Sequence, residues 1–262
     1  MSCFVAAHHT GITPADKLLV YRHIFNSSKP VIVFDDKIFV TYMALIDRTE
    51  TNLSVLNKLS ESIDKKVNEL ETLIEHKSPT SDLDGATYFL IHNSFAALCE
   101  LRNNLKVKNL ISSSLITRHI FELHADFMLM ISDIKLIPQR AQAYISYGEM
   151  KNDKLLSSKS EPEKKQSYDK WQKFSDGTNE MHWSGLSRTE VINRSWGKES
   201  KIYGILSSHS HSGILTQDLV FWNYSERGIP LTETSTEIAL ACVTEMFDKT
   251  KELGLYGVIV PK

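Results

Sequence analysis

Arg118 and Glu122 stand one helical turn apart in a stretch, 108–134, that is apolar on most of its faces. At i, i+4 a guanidinium and a carboxylate can pair along a helix. One row of the stretch reads Ile116, Ile120, Leu123, Phe127, Ile131 and Ile134, and a second reads Ile111, Leu115, Arg118, Glu122, Ala125 and Leu129. A helix apolar nearly all round belongs in a core. Each charge buried there costs several kcal/mol, which pairing only partly offsets. Two readings follow: an ion pair at the edge of the core, or a polar site inside a bundle, where buried ionisable groups mark function. The face with Ser112, His119, Asp126 and Asp133 reads as solvated.

A second set lies further along. Tyr203, Ser207 and His211 are spaced four and four, so on a helix over 198–211 all three project from nearly one face. A phenol, a hydroxyl and an imidazole in one column offer donors, acceptors and a group that titrates near neutrality. The competing reading is a solvated helix face; Ser208 and His209 fall off the column. If the two sets meet, Arg118 would hold a small anionic ligand, with Tyr203 and His211 orienting it. Trp183, carried with His182 on a loop that starts at Ser175, would wall the site. Trp171, Trp196 and Trp222 read as core and loop anchors.

The segments Arg118-His-Ile-Phe-Glu122, Trp183-Ser-Gly-Leu-Ser187 and Tyr203-Gly-Ile-Leu-Ser207-Ser-His-Ser-His211, in that order, resemble the bacterial domain-of-unknown-function family five-six-seven-seven. The likeness covers roughly residues 85–225. It implies a helical fold and a shared Arg/Glu/Tyr/Ser/His cluster, and no particular reaction. Arg118-His119-Ile-Phe-Glu-Leu-His124 is also similar to the arginine–histidine motif of the HEPN nucleases, where a polar residue often follows the arginine; His119 fills that slot, which implies a ligand-binding role for it. That likeness implies a metal-independent ribonuclease, of toxin or phage-defence type. Arg118 would stabilise phosphate charge and a histidine, His124 or His211, would move protons, with Glu122 beside them. Such sites are similar to paired half-sites, which implies a homodimer. His124 itself faces the apolar row, and a satisfied core histidine is its other reading.

The elements that must position these residues are helices. Leu56, Leu59, Ile63, Leu70 and Leu73 recur at three- and four-residue steps within a helix over 42–76, with Lys66 as the polar interruption. The expected partner is a neighbouring antiparallel helix, the alternative a coiled-coil dimer seam. Ser81-x-x-Asp84 caps a helix over 82–105. Further helices are expected over 108–134, 139–157, from Pro162 to near Phe174, 198–211 and 232–253. Val31–Phe34, followed by Asp35-Asp36-Lys37, reads as a short strand or extended segment near 31–40. The sum is an all-α bundle of about six to eight helices. An N-terminal region over 1–80 carries the long amphipathic helix and a helical core over 81–262 carries the polar cluster, the two forming one continuous domain.

Composition narrows the classes. The net charge of −2 provides no global field toward nucleic acid or an acidic membrane, which leaves RNA to a local groove. Cys3, Cys99 and Cys242 are odd in number and far apart, which argues for a reducing compartment rather than a disulfide framework. The start of the chain lacks a basic region followed by a long apolar one, and Phe127–Ile131 is too short to span a bilayer, so a cytoplasmic protein is expected. There is no His-Glu-x-x-His or Glu-x-x-His element and no Gly-rich phosphate loop, so neither a metal nor a cofactor is expected.

Overall fold

The computed structural model describes residues 31–34, 38–41, 50–74, 76–107, 109–156, 160–197, 203, 207 and 228–258. Val31–Phe34 (β1) and Ile38–Thr41 (β2) pair antiparallel with Val31 opposite Thr41 and Phe34 opposite Ile38. The strand expected near 31–40 is therefore one arm of a hairpin. Seven helices follow among the described residues: α1 (Glu50–Glu71), α2 (Asp82–Lys106), α3 (Leu110–Ile131), α4 (Ile137–Leu156), α5 (Glu161–Phe174), α6 (Arg188–Trp196) and α7 (Gly228–Glu252). None of these is long and apolar enough to cross a membrane.

The first layer is built on α1. Its buried stripe runs Leu56, Leu59, Ile63, Val67 and Leu70, and Ile74 just beyond pairs with Val258 in an isolated bridge. The polar interruption expected at Lys66 is displaced by one residue. Val67 carries the stripe, and Lys66 turns aside to pair with Glu69 at 3.0 Å. The stripe packs on α2 and α7, so its apolar area is consumed within the chain and offers no seam to a second copy. Residues 42–49, the expected first part of this helix, lie outside the described residues.

The ends of the other helices follow capping chemistry. The Ser81 side chain accepts from the Asp84 amide at 3.1 Å, and Asn109 does the same for Ser112 at the start of α3. Ser160/Glu163 and Ser187/Glu190 are reciprocal capping boxes opening α5 and α6. At the other end of α3, Arg140 from α4 donates to the Leu129 carbonyl at 2.7 Å and the Ser132 hydroxyl at 2.8 Å while pairing with Asp176 at 3.0 Å. A buried cation thus meets the negative end of a helix whose own last turn holds no basic residue.

α3 is the central rod. It packs against α2, α4, α6 and α7, and Ile120, Phe121, Ala125, Phe127 and Met130 are fully buried. The face expected to be solvated divides: His119 and Asp133 are exposed, whereas Asp126 is 7% exposed. The apolar rows also fray, since Leu115 and Ile134 are exposed. α6, which periodicity did not reveal, is a helix of 9 residues laid on α3.

Candidate functional site

Arg118, Glu122 and Tyr203 meet. The guanidinium donates through Nε to Glu122 Oε1 at 3.0 Å and through Nη2 to the Tyr203 oxygen at 3.3 Å. The Tyr203 hydroxyl in turn donates to the same Glu122 oxygen at 3.0 Å. Arg118 also lies over the Tyr203 ring, 5.5 Å from its centroid. The triangle closes because Arg118 and Glu122 are one turn apart on α3 and the Tyr203 side chain lies against that face. Side-chain exposures of 22% for Arg118 and 20% for Glu122 place it at the core's edge, the first of the two readings open from sequence. Burial opposes the arginine's charge, yet the Tyr203 hydrogen bond and the Glu122 carboxylate outweigh it and hold its pKa above the ordinary value. Partial burial, then the Glu122 charge, push the Tyr203 phenol up.

The other nominated residues divide. Ser207, four residues beyond Tyr203 in sequence, is half-buried and helical, while His211 and Trp222 lie outside the described residues, as do Ser208 and His209. His119 is exposed beside Arg118 in sequence but on another side of the helix. His124 is 3% exposed, and its Nε2 lies 2.9 Å from Glu245 Oε2 on α7. Six residues of helix turn His124 about 120° away from Arg118. A buried ring facing another element cannot touch a ligand held by Arg118, so His124 is corrected from a proton-handling residue of that site to a core histidine. Burial, partly opposed by Glu245, holds its pKa below the ordinary value. Trp183 is likewise corrected. It is 3% exposed, its ring lies edge-on to Tyr144 at 5.7 Å, and its carbonyl accepts from Trp171 Nε1 at 2.7 Å. It anchors the loop rather than walling the triangle.

An aromatic row connects the two sides of α3. Tyr203 lies 6.2 Å from Phe121, Phe121 stacks on Trp196 at 4.1 Å, and Trp196 tilts against His124 at 4.8 Å. Outside the row, Glu245 opens into a groove of about 670 Å³ between α1 and α7, lined also by Lys65, Lys66, Glu69 and Asp248.

A second polar network escaped the sequence reading. Asp126 Oδ1 lies 2.7 Å from His182 Nε2 and accepts from Arg188 Nη1 at 2.9 Å. A carboxylate can only accept, so Nε2 carries the hydrogen and Nδ1 accepts from the Ser184 hydroxyl at 2.8 Å. Ser184 has no exposure, which makes this serine–histidine–aspartate chain a tie between loop and helix rather than a nucleophile. The one signal for it was a lone Asp126 directly before the apolar run Phe127–Ile131. Among the described residues, no group of three or more His, Cys, Asp or Glu side chains could hold a metal ion.

No family model matches the chain, and neither a curated protein nor a solved structure matches it.

Proposed function

We propose that the chain is a binding module whose Arg118/Glu122/Tyr203 triangle takes the compact anionic group of a small ligand. The observation that carries this is the guanidinium itself: fixed from two sides, one-fifth exposed, and at the edge of the core rather than sealed within it. An entering phosphate or carboxylate competes with Glu122 for Arg118, and the Tyr203 hydroxyl turns from Glu122 to the newcomer. The free thiols of Cys99 and Cys242 support a reducing, cytoplasmic setting.

The ribonuclease reading keeps Arg118 but loses His124 to the core, so the binding reading is preferred. Calorimetric titration with inorganic phosphate, beside a single-stranded RNA cleavage assay, tests both. Phosphate binding that vanishes in Arg118→Ala and strengthens severalfold in Glu122→Gln, without cleavage, is the expected result. RNA cleavage lost in Arg118→Ala would replace the binding module by the nuclease.

A further inference from the structure

Behind the Arg118 triangle the rings run in nearly parallel planes. Phe121 is fully buried and stacks on Trp196 at 4.1 Å, with 18° between the planes. Tyr203 lies 6.2 Å from Phe121 at 19°. That separation falls within the range of about 4.5–7 Å over which offset rings attract. Trp196 closes α6, and the Ser195 hydroxyl ties that end to the Ala125 carbonyl of α3 at 2.8 Å, so the indole against Phe121 is itself fixed. A single turn of α3 therefore carries both partners of the Tyr203 hydroxyl, Arg118 and Glu122, and the ring beside its phenol. The two hydrogen bonds locate the phenol oxygen but leave the ring plane free to swing. The contact with Phe121 sets that plane.

We propose that Phe121 is the positioning residue of the anion site: its ring holds the Tyr203 phenol in place, so that only the hydroxyl hydrogen turns when an anion enters. The inference rests on the reading of Arg118, Glu122 and Tyr203 as an anion-binding triangle. Phe121 has no exposed surface and touches no ligand itself, so it acts through Tyr203 alone. A side chain ordered before binding loses no freedom on binding, and affinity rises by the cost avoided. Leucine at position 121 would fill much of the same space but offer no flat face. Tyr203 would then gain conformations in the free protein, and an arriving anion would have to order it.

Calorimetric titration of the full chain with inorganic phosphate tests this on the unaltered protein, Phe121→Leu, Tyr203→Phe and the double variant. Tyr203→Phe keeps the ring and should weaken phosphate about tenfold, the worth of one hydrogen bond to a charged group. Phe121→Leu alone should weaken it by about fivefold, yet change it by less than about twofold when Tyr203 is already phenylalanine. A merely structural Phe121 would act by the same factor in both backgrounds or in neither, and either result would overturn the proposal. A second measurement stands even if Phe121→Leu does not fold. In the unaltered protein, nuclear Overhauser contacts between the Tyr203 and Phe121 rings should persist at saturating phosphate, and their loss would equally overturn it. Absence of phosphate binding in the unaltered protein would remove the anion site itself, and the positioning role with it. Binding there combined with either failure above removes the positioning role alone.

Discussion

Arg118 was legible from its neighbours in sequence because a charge pair one turn apart inside an apolar helix has few uses. Its energetics depend on exposure. With Glu122 removed, the guanidinium keeps Tyr203 and a share of solvent, so Glu122→Ala should cost about 1 kcal/mol rather than the 3–5 kcal/mol of a fully buried broken pair. Arg118→Ala should cost about the same and abolish phosphate binding. Melting curves on both variants check this, and a large loss in Glu122→Ala alone would mean a deeper pair. His124 could not be placed from sequence, since its partner Glu245 is 121 residues away. Burial holds it below its ordinary value of 6.5, so as pH falls through that value the unfolded chain gains a proton that the folded chain resists. Stability is therefore complete above about pH 6.5 and declines below it. Urea midpoints at about pH 7.5 and about pH 5.5 should differ less in His124→Gln than in the unaltered chain. An unchanged difference would remove His124 as the cause.

At the scale of elements, long helices announced themselves by period and caps, and short ones did not. α3 and α5 were placed within a few residues because an apolar run and a proline at a helix start are local signals. α6, with 9 residues, holds too few apolar positions to show a period and depends on what it lies against. It is pinned to α3 at both ends, by Arg188 on Asp126 and by the Ser195 hydroxyl donating to the Ala125 carbonyl at 2.8 Å. The loop before it is held by its own backbone: Gly185 sits at φ 73°, and a Cβ there would meet the Gly177 carbonyl oxygen at 2.1 Å. Asp126→Ala strands the buried His182 N–H and releases Arg188, for an expected loss of about 3 kcal/mol. Arg188→Ala, with its side chain 35% exposed, should cost about 1 kcal/mol. Denaturant unfolding of the two variants measures the contrast, and equal losses would show that the loop does not depend on Asp126.

For the whole molecule, one cluster of apolar side chains gathers α1, α2, α3, α4, α6 and α7, so the long stripe of α1 faces inward. The sequence showed a stripe but could not say what covered it, because the period is the same for a hairpin neighbour and for a second copy. It also left one step ambiguous, where Lys66 and Val67 compete for the same place between Ile63 and Leu70. Packing decides that competition. Val67 is 2% exposed, whereas the Lys66 ammonium reaches out to Glu69, itself 56% exposed. Two substitutions follow from this register. Ile63→Ala opens a cavity among α1, α2 and α7 and should cost about 2–5 kcal/mol. Lys66→Ala removes only a surface pair and should stay within about 0.5 kcal/mol of the parent. If the stripe were a seam between copies, Ile63→Ala would instead lower the sedimentation coefficient, and the midpoint of unfolding would move with protein concentration. With the stripe inside one chain, the coefficient and its concentration dependence should match those of the unaltered protein while the melting temperature falls. Sedimentation velocity and thermal unfolding on the same samples therefore distinguish a stripe that builds the fold from one that joins two folds.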